Sequence, residues 1–234
     1  MRMIVENEHR KGRLRARPAA GASSDAAPVG LRPLPLGGVA RDGYLYIPAG
    51  SQDGRPAPLA VLLHGAREDA RDGLALLREH ADGAGLILLA LSSCGPTWDL
   101  VVGRGRCGPD VAAIDRALEQ TFSRYAVDPA RVAVGGYSDG ASYALSLGVA
   151  NGDLFTHVLA FSPGFMAPPT QVGSPRIFVS HGTHDRWLPI EQCSRRIVSQ
   201  LQRAGYEVRY REFSGGHVVP PEIGHEAAVW FTAE

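Results

Sequence analysis

The stretch Val132–Ala144, reading VAVGGYSDGASYA, constrains this chain more than any other. Val132-Ala133-Val134 is a short apolar run of the kind that forms a strand buried on both faces. Gly135-Gly136-Tyr137-Ser138-Asp139-Gly140 then turns the chain, and the small and apolar residues that follow suit a packed helix. A serine on such a strand-to-helix turn stands above the sheet with its hydroxyl exposed. Gly136 and Gly140 leave room for the tight backbone and for close packing of helix on strand. The new helix also aims its free N–H groups and positive dipole end at any anion forming beside Ser138. A chain with 28 glycines produces G-x-S-x-G by chance, so the flanking strand and helix carry the information.

The rest of the pattern supplies a sheet for that turn. Residues 1–17 are charged, with a candidate first strand near Gly12–Arg17. Residues 18–38 are rich in Pro, Ala and Gly without periodicity and read as a linker or surface loop. The expected division is therefore an N-terminal arm over 1–38 and a single catalytic domain over 39–234. Gly43–Ile47 alternates as a strand and is stopped by Pro48. Leu59–Leu63 and Leu86–Leu91 are continuous apolar runs typical of central parallel strands. Gly73–Ala81 reads as a helix, and 92–107 as a Gly-rich loop. Pro109 opens a helix with Val111, Ile114, Leu118 and Phe122 at helical spacing. His157–Phe161 and Arg176–Ser180 are further strands, Ile190–Leu201 carries one apolar stripe, and Val208–Phe213 alternates like a strand near a sheet edge. A last helix covers about Glu222–Phe231. Strands alternating with helices predict an α/β fold, with a mostly parallel central sheet covered on both faces.

Composition excludes several roles. Twenty-four basic and 24 acidic side chains cancel, leaving no electrostatic footprint for nucleic acid or anionic membrane. No apolar run approaches the roughly 18 residues of a membrane span. The first 18 residues lack the apolar core of a secretory signal, so the expected location is cytoplasmic. Cys94, Cys107 and Cys193 match no metal or redox spacing. Cys94 and Cys107 share a loop region, and their pairing is conditional on export; Cys193 reads as a buried small hydrophobe. Nothing in the sequence fixes an oligomeric state.

Folds of this class gather their chemistry at the carboxyl ends of the strands. His64-Gly65-Ala66-Arg67 follows one strand, His181-Gly182-Thr183-His184-Asp185 another, and Ser214-Gly215-Gly216-His217 a third. With Ser138 this sets a hydroxyl, a carboxylate and an imidazole at three strand ends, in the chain order Ser, Asp, His. His181 and His184 flank Asp185, but no further ligand completes a metal site, and none is expected. Asp185 has an alternative role as a helix cap. Trp98, Trp187, Phe165 and Met166 sit in loops at the same sheet end, with packing and pocket lining both open to the two tryptophans.

From about Arg41 onward the sequence resembles the α/β-hydrolases, and within them the small bacterial phospholipase/carboxylesterase, or dienelactone-hydrolase-like, esterases. The resemblance rests on LLHGA, GGYSDGAS, FSPGF, HGTHDRWLPI and GGHVVP in the expected order, with SSCGPTWD (Ser92–Asp99) like that family's Trp-Asp loop. It implies Ser138 as nucleophile, His217 as base and Asp185 as the carboxylate that orients it. The backbone N–H groups of Ala66 and Asp139 would form the oxyanion hole. Such an enzyme cleaves small carboxylic esters through an acyl-serine, with no cofactor and no metal. Lysophospholipase, thioesterase, feruloyl or polyester esterase activity fits the same residues, as does an inactive fold kept for binding. Only 14 residues separate Phe161 from Arg176, too few for a helical cap, so an open cleft is expected.

Overall fold

The computed structural model describes residues 2–18, 28–37, 43–49, 55–103 and 106–233. Its centre is built from the strands β3 (Ala57–Leu63), β4 (Ile87–Leu91), β5 (Val127–Tyr137) and β6 (His157–Phe161). Every residue of β3, β4 and β6 is buried, which is why these runs show no polar alternation. Among the described residues the sheet has eight strands. β1 (Gly30–Pro33), β2 (Gly43–Ile47), β7 (Arg176–Gly182) and β8 (Val208–Phe213) complete it, in the order β1-β2-β4-β3-β5-β6-β7-β8. β2 runs antiparallel to β1 and β4, and all remaining pairs are parallel. The two edge strands alternate between half-buried and exposed residues, as one-sided strands do.

Helices cover both faces. On one side Leu59, Val61 and Leu63 pack with α4 (Pro109–Phe122), α5 (Asp139–Ala150) and α6 (Ser194–Arg203). On the other, Ala60 and Leu62 pack with α2 (Ala70–Ala75) and α7 (Pro221–Thr232). α1 (Arg2–Arg10) and the short α3 (Asp99–Val102) complete the set. α5 is buried from Gly140 through Ala150, and its glycines permit that depth. A Cβ on Gly140 would stand 2.2 Å from the Leu63 carbonyl oxygen, and one on Gly148 2.4 Å from Val158 Cγ2. The molecule has the doubly covered, mostly parallel α/β architecture that the alternation of runs predicts. Residues 162–175, between β6 and β7, carry no helix, so no cap covers this end of the sheet.

Four expectations need correction. Gly12–Arg17 is not a strand: Gly12 and Arg13 N–H turn back to the His9 and Glu8 carbonyls, and the next three donors go to side chains instead of a sheet neighbour. Leu14 N–H reaches Asn151 Oδ1 (2.8 Å), and Arg15 and Ala16 N–H share Asp115 Oδ1. The stretch 18–38 is not all loop, because β1 lies inside it and Leu34 and Leu36 enter the core. Residues 19–27 and 38–42 of that region lie outside the described residues. The helix expected over Gly73–Ala81 is α2 plus a separate 3-10 turn at Arg78–His80. It starts earlier because Asp69 and Asp72 form a capping box around Ala70. α6 begins only at Ser194, four residues into the predicted stripe.

Candidate active site

Ser138 occupies the turn between β5 and α5 at φ 56°, a conformation a non-glycine residue holds only under constraint. Its N–H bonds the Phe161 carbonyl at 2.9 Å, which ties the turn to the end of β6. Two further strand ends converge on it. His217 follows β8, and its Nε2 lies 2.9 Å from Ser138 Oγ. Asp185 follows β7, and its Oδ2 lies 2.5 Å from His217 Nδ1. Nδ1–H donates to the carboxylate, so Nε2 is left as the acceptor for the Ser138 hydroxyl. All three residues picked at strand ends are therefore brought together.

Neighbouring groups hold that line in place. Asp185 Oδ1 accepts the N–H groups of Trp187 and Leu188, both at 2.9 Å. Burial pushes its carboxyl pKa up, but these bonds and the His217 contact outweigh it and hold the group below the usual carboxylate range. The His217 loop packs against the end of β7 so closely that a Cβ on Gly182 would meet Gly216 O at 2.2 Å. The Tyr137 hydroxyl donates to the His217 carbonyl at 2.7 Å, with the two rings 4.8 Å apart. Burial, then the charges of Glu68 and Asp185, push that phenol up to about 12, so it remains a donor. His217 needs no swing to reach Ser138.

The loop after β3 lies beside the Ser138 turn, since Leu63 pairs with Gly136. His64 is buried and braces this loop: Nδ1–H donates to Gly65 O (2.6 Å), and Nε2 accepts Ser93 N–H (3.0 Å). Gly65 N–H is taken by Glu68 Oε2 at 2.7 Å. The N–H groups of Ala66 and Asp139 have no acceptor among the described residues. The Asp139 carboxylate turns to the Thr97 hydroxyl.

The four expected pocket residues separate. Trp98 is a correction: it is 1% exposed, donates Nε1–H to the His64 carbonyl (2.8 Å), and packs between His64 and Tyr143. It holds the loop from behind and offers no wall to a ligand. Trp187 is 84% exposed, beside Asp185. Phe165 and Met166 are half-buried, in a segment whose Gly164 and Phe165 N–H groups are held by Ser142 Oγ. A cleft of about 390 Å³ is lined by Tyr137, His217, Leu76, Val218 and Val219 among others. Cys94 and Cys107 are not joined in a disulfide. His181, weighed in the sequence only as a metal ligand, is fully buried with both ring nitrogens on protein partners. Tyr137 and Glu68 carried no sequence signal, because one is the variable position of G-x-S-x-G and the other lies in a charged run.

The sheet order, the helices on both faces and the serine turn between β5 and α5 define an α/β-hydrolase fold without a cap domain. Solved structures agree. The chain is similar to esterase PE8 (23% identity over 86% of this chain and 98% of that one, TM-score 0.67). It is also similar to the Bacillus cereus carboxylesterase (18%, 81% and 92%, 0.61). A third is Thermogutta terrifontis esterase 2, solved phosphorylated by paraoxon (18%, 86% and 91%, 0.65). No protein-family model and no curated protein matches the sequence. At these identities the likeness is one of fold. No helix among the described residues is long and apolar enough to cross a membrane.

Proposed function

We propose that this chain is a serine hydrolase that cleaves carboxylic esters through an acyl-serine intermediate. The observation that carries the reading is the unbroken line from Asp185 through His217 to Ser138, at 2.5 and 2.9 Å. A serine hydroxyl is a weak nucleophile until a base takes its proton. In this reading Ser138 Oγ attacks the ester carbonyl carbon as its proton passes to His217 Nε2. The charge left on the carbonyl oxygen is received by the N–H groups of Ala66 and Asp139, each such donor being worth about 10²–10³ in turnover. His217 then gives its proton to the departing alcohol. Water, deprotonated by the same nitrogen, releases the acid and restores the hydroxyl. Asp185 keeps the ring in the right tautomer and balances the imidazolium.

The names of the structural neighbours, esterase and carboxylesterase, support the ester as substrate. The helix-free connection over 162–175 favours small soluble esters, or exposed ends of larger ones. The test is turnover of short-chain nitrophenyl esters by wild type and Ser138→Ala, with fluorophosphonate labelling followed by mass spectrometry. Wild type should be labelled at Ser138, and the variant should lose around 10⁶ in kcat. A variant that retains most of the activity ends this reading. A folded wild type that neither turns over esters nor takes the label favours the binding module.

A further inference from the structure

The hydrogen-bonded line does not stop at Asp185. Behind it, wholly buried, His181 at the end of β7 directs Nε2 at the Leu188 carbonyl (2.8 Å) and at Asp185 Oδ2 (3.1 Å). A carbonyl only accepts, so Nε2 carries the hydrogen and donates it forward. Nδ1 then accepts from the Ser194 hydroxyl at the head of α6, 2.5 Å away. Leu188 closes a small ring: its N–H goes to Asp185 Oδ1 and its C=O takes the His181 proton. The carboxylate, with no exposed side-chain surface, therefore has three N–H donors on two oxygens and, 3.1 Å from Oδ2, the His181 N–H that it shares with the Leu188 carbonyl. Two of them, the Trp187 and Leu188 N–H groups, belong to the β7–α6 connection itself, and His181 closes β7.

We propose that His181, oriented by Ser194, is a positioning residue for the triad, an inference that rests on the reading of Ser138, His217 and Asp185 above. A neutral donor here limits how much of the Asp185 charge is given to His217, and it fixes which way Oδ2 points. A cationic His181 would draw that charge away from His217. Burial holds the His181 ring below the ordinary histidine range, against the pull of the Leu188 bond and the Asp185 charge. The other titratable groups facing this line are Glu212 on β8, Cys193 before α6, and Tyr137 on β5.

The experiment compares nitrophenyl ester kinetics and fluorophosphonate labelling of wild type, His181→Leu, His181→Gln and His181→Asn across pH. Leu removes the donor, and kcat should fall about tenfold to a hundredfold, the usual scale for a hydrogen bond to a buried charge, with KM little changed. Asp185 then gives more of its charge to His217. The acid limb of kcat/KM should move up by about half a pH unit. The Gln amide nitrogen overlays Nε2 and should restore most of kcat and the wild-type limb. Asn reaches only the Nδ1 position and should not. A folded His181→Leu with wild-type kcat and an unmoved limb overturns the proposal. If Leu does not fold, equal rates for Gln and Asn overturn it. A wild type with neither turnover nor label instead indicts the reading of Ser138, a different failure.

Discussion

Ser138 is one of three non-glycine residues at positive φ among those described. The others are Arg67 (φ 64°) and Ser162 (φ 53°), and all three lie in connections leaving β3, β5 and β6 at the carboxyl end of the parallel strands. Such conformations cost about 1–3 kcal/mol each. The strain at Ser138 is relieved by Ser138→Gly but not by Ser138→Ala. The glycine variant should be the more stable of the two by about 1 kcal/mol in urea denaturation, after its own unfolded-state entropy is counted. Equal stabilities would mean that the turn is not strained. The residues that sequence reading reached here are those in the turns that follow a legible strand: Ser138, Asp185 and His217. Trp98 was legible as a loop residue near the site but not as a core one, because only the fold shows its indole N–H meeting the His64 carbonyl. His181 and Ser194 stand 13 positions apart, and no periodicity announces that they bond.

At the level of elements, α3 and α4 are clamped by two aspartates that accept each other's backbone. Asp99 Oδ2 takes the N–H groups of Gly108 and Asp110; Asp110 takes those of Cys94 and Asp99. The clamp fixes the loop that delivers Trp98 to His64. Asp99 Oδ1 is buried without a partner among the described residues. Burial, and then the Asp110 charge, push the Asp99 carboxyl up to about 6. A raised carboxyl takes up a proton in the folded state that the unfolded chain has already released. Stability therefore falls as pH rises from about 4 to 6 and stays lowered above. Asp99→Asn keeps an acceptor without the charge. It should exceed wild type by on the order of 2 kcal/mol at pH 7, with the gap closing by pH 4, in denaturant titrations. A gap independent of pH would refute the assignment. The long buried strands and α4 were legible because their apolar spacing is dictated by burial on both sheet faces. β1 was not, because a four-residue edge strand carries too little pattern, and the 3-10 turn after α2 was not, because its break follows from tertiary packing.

Across the whole molecule, the N-terminal arm is stitched to the middle of α4 and to the far end of α5. Leu14 is 2% exposed in the main core. Asn151, just past α5, spends its amide on Leu14 N–H and the Gly12 carbonyl, and Asp115 of α4 holds His9, Arg15 and Ala16. The Arg13 guanidinium bonds the Ala150 carbonyl at the negative end of α5 and forks onto Asp153, which Arg17 also contacts. We propose that the folding unit begins before residue 39, with the arm as a structural part of it. Asn151 lies at the opposite end of α5 from Ser138, about 18 Å away along a 12-residue helix. Deleting residues 1–17 should therefore separate stability from chemistry. Losing Leu14 and orphaning Asn151 and Asp115 should cost on the order of 3–5 kcal/mol, about 10 °C in Tm for a chain of this size. Ester kcat/KM at 25 °C should stay within about twofold, because the arm's hydrogen bonds to Asp115, Ala150, Asn151 and Asp153 lie far from Ser138. The hydrogen bond from Arg13, then that from Arg17, holds the Asp153 carboxyl down at about 2. Its contribution is present above the unfolded carboxylate range and fades as pH falls from about 4 to 2, so the gap between full-length and truncated chains should narrow in acid. A truncated chain with unchanged Tm would return the arm to the status of a passive extension. One with intact Tm but lost turnover would place it, against this geometry, in the chemistry.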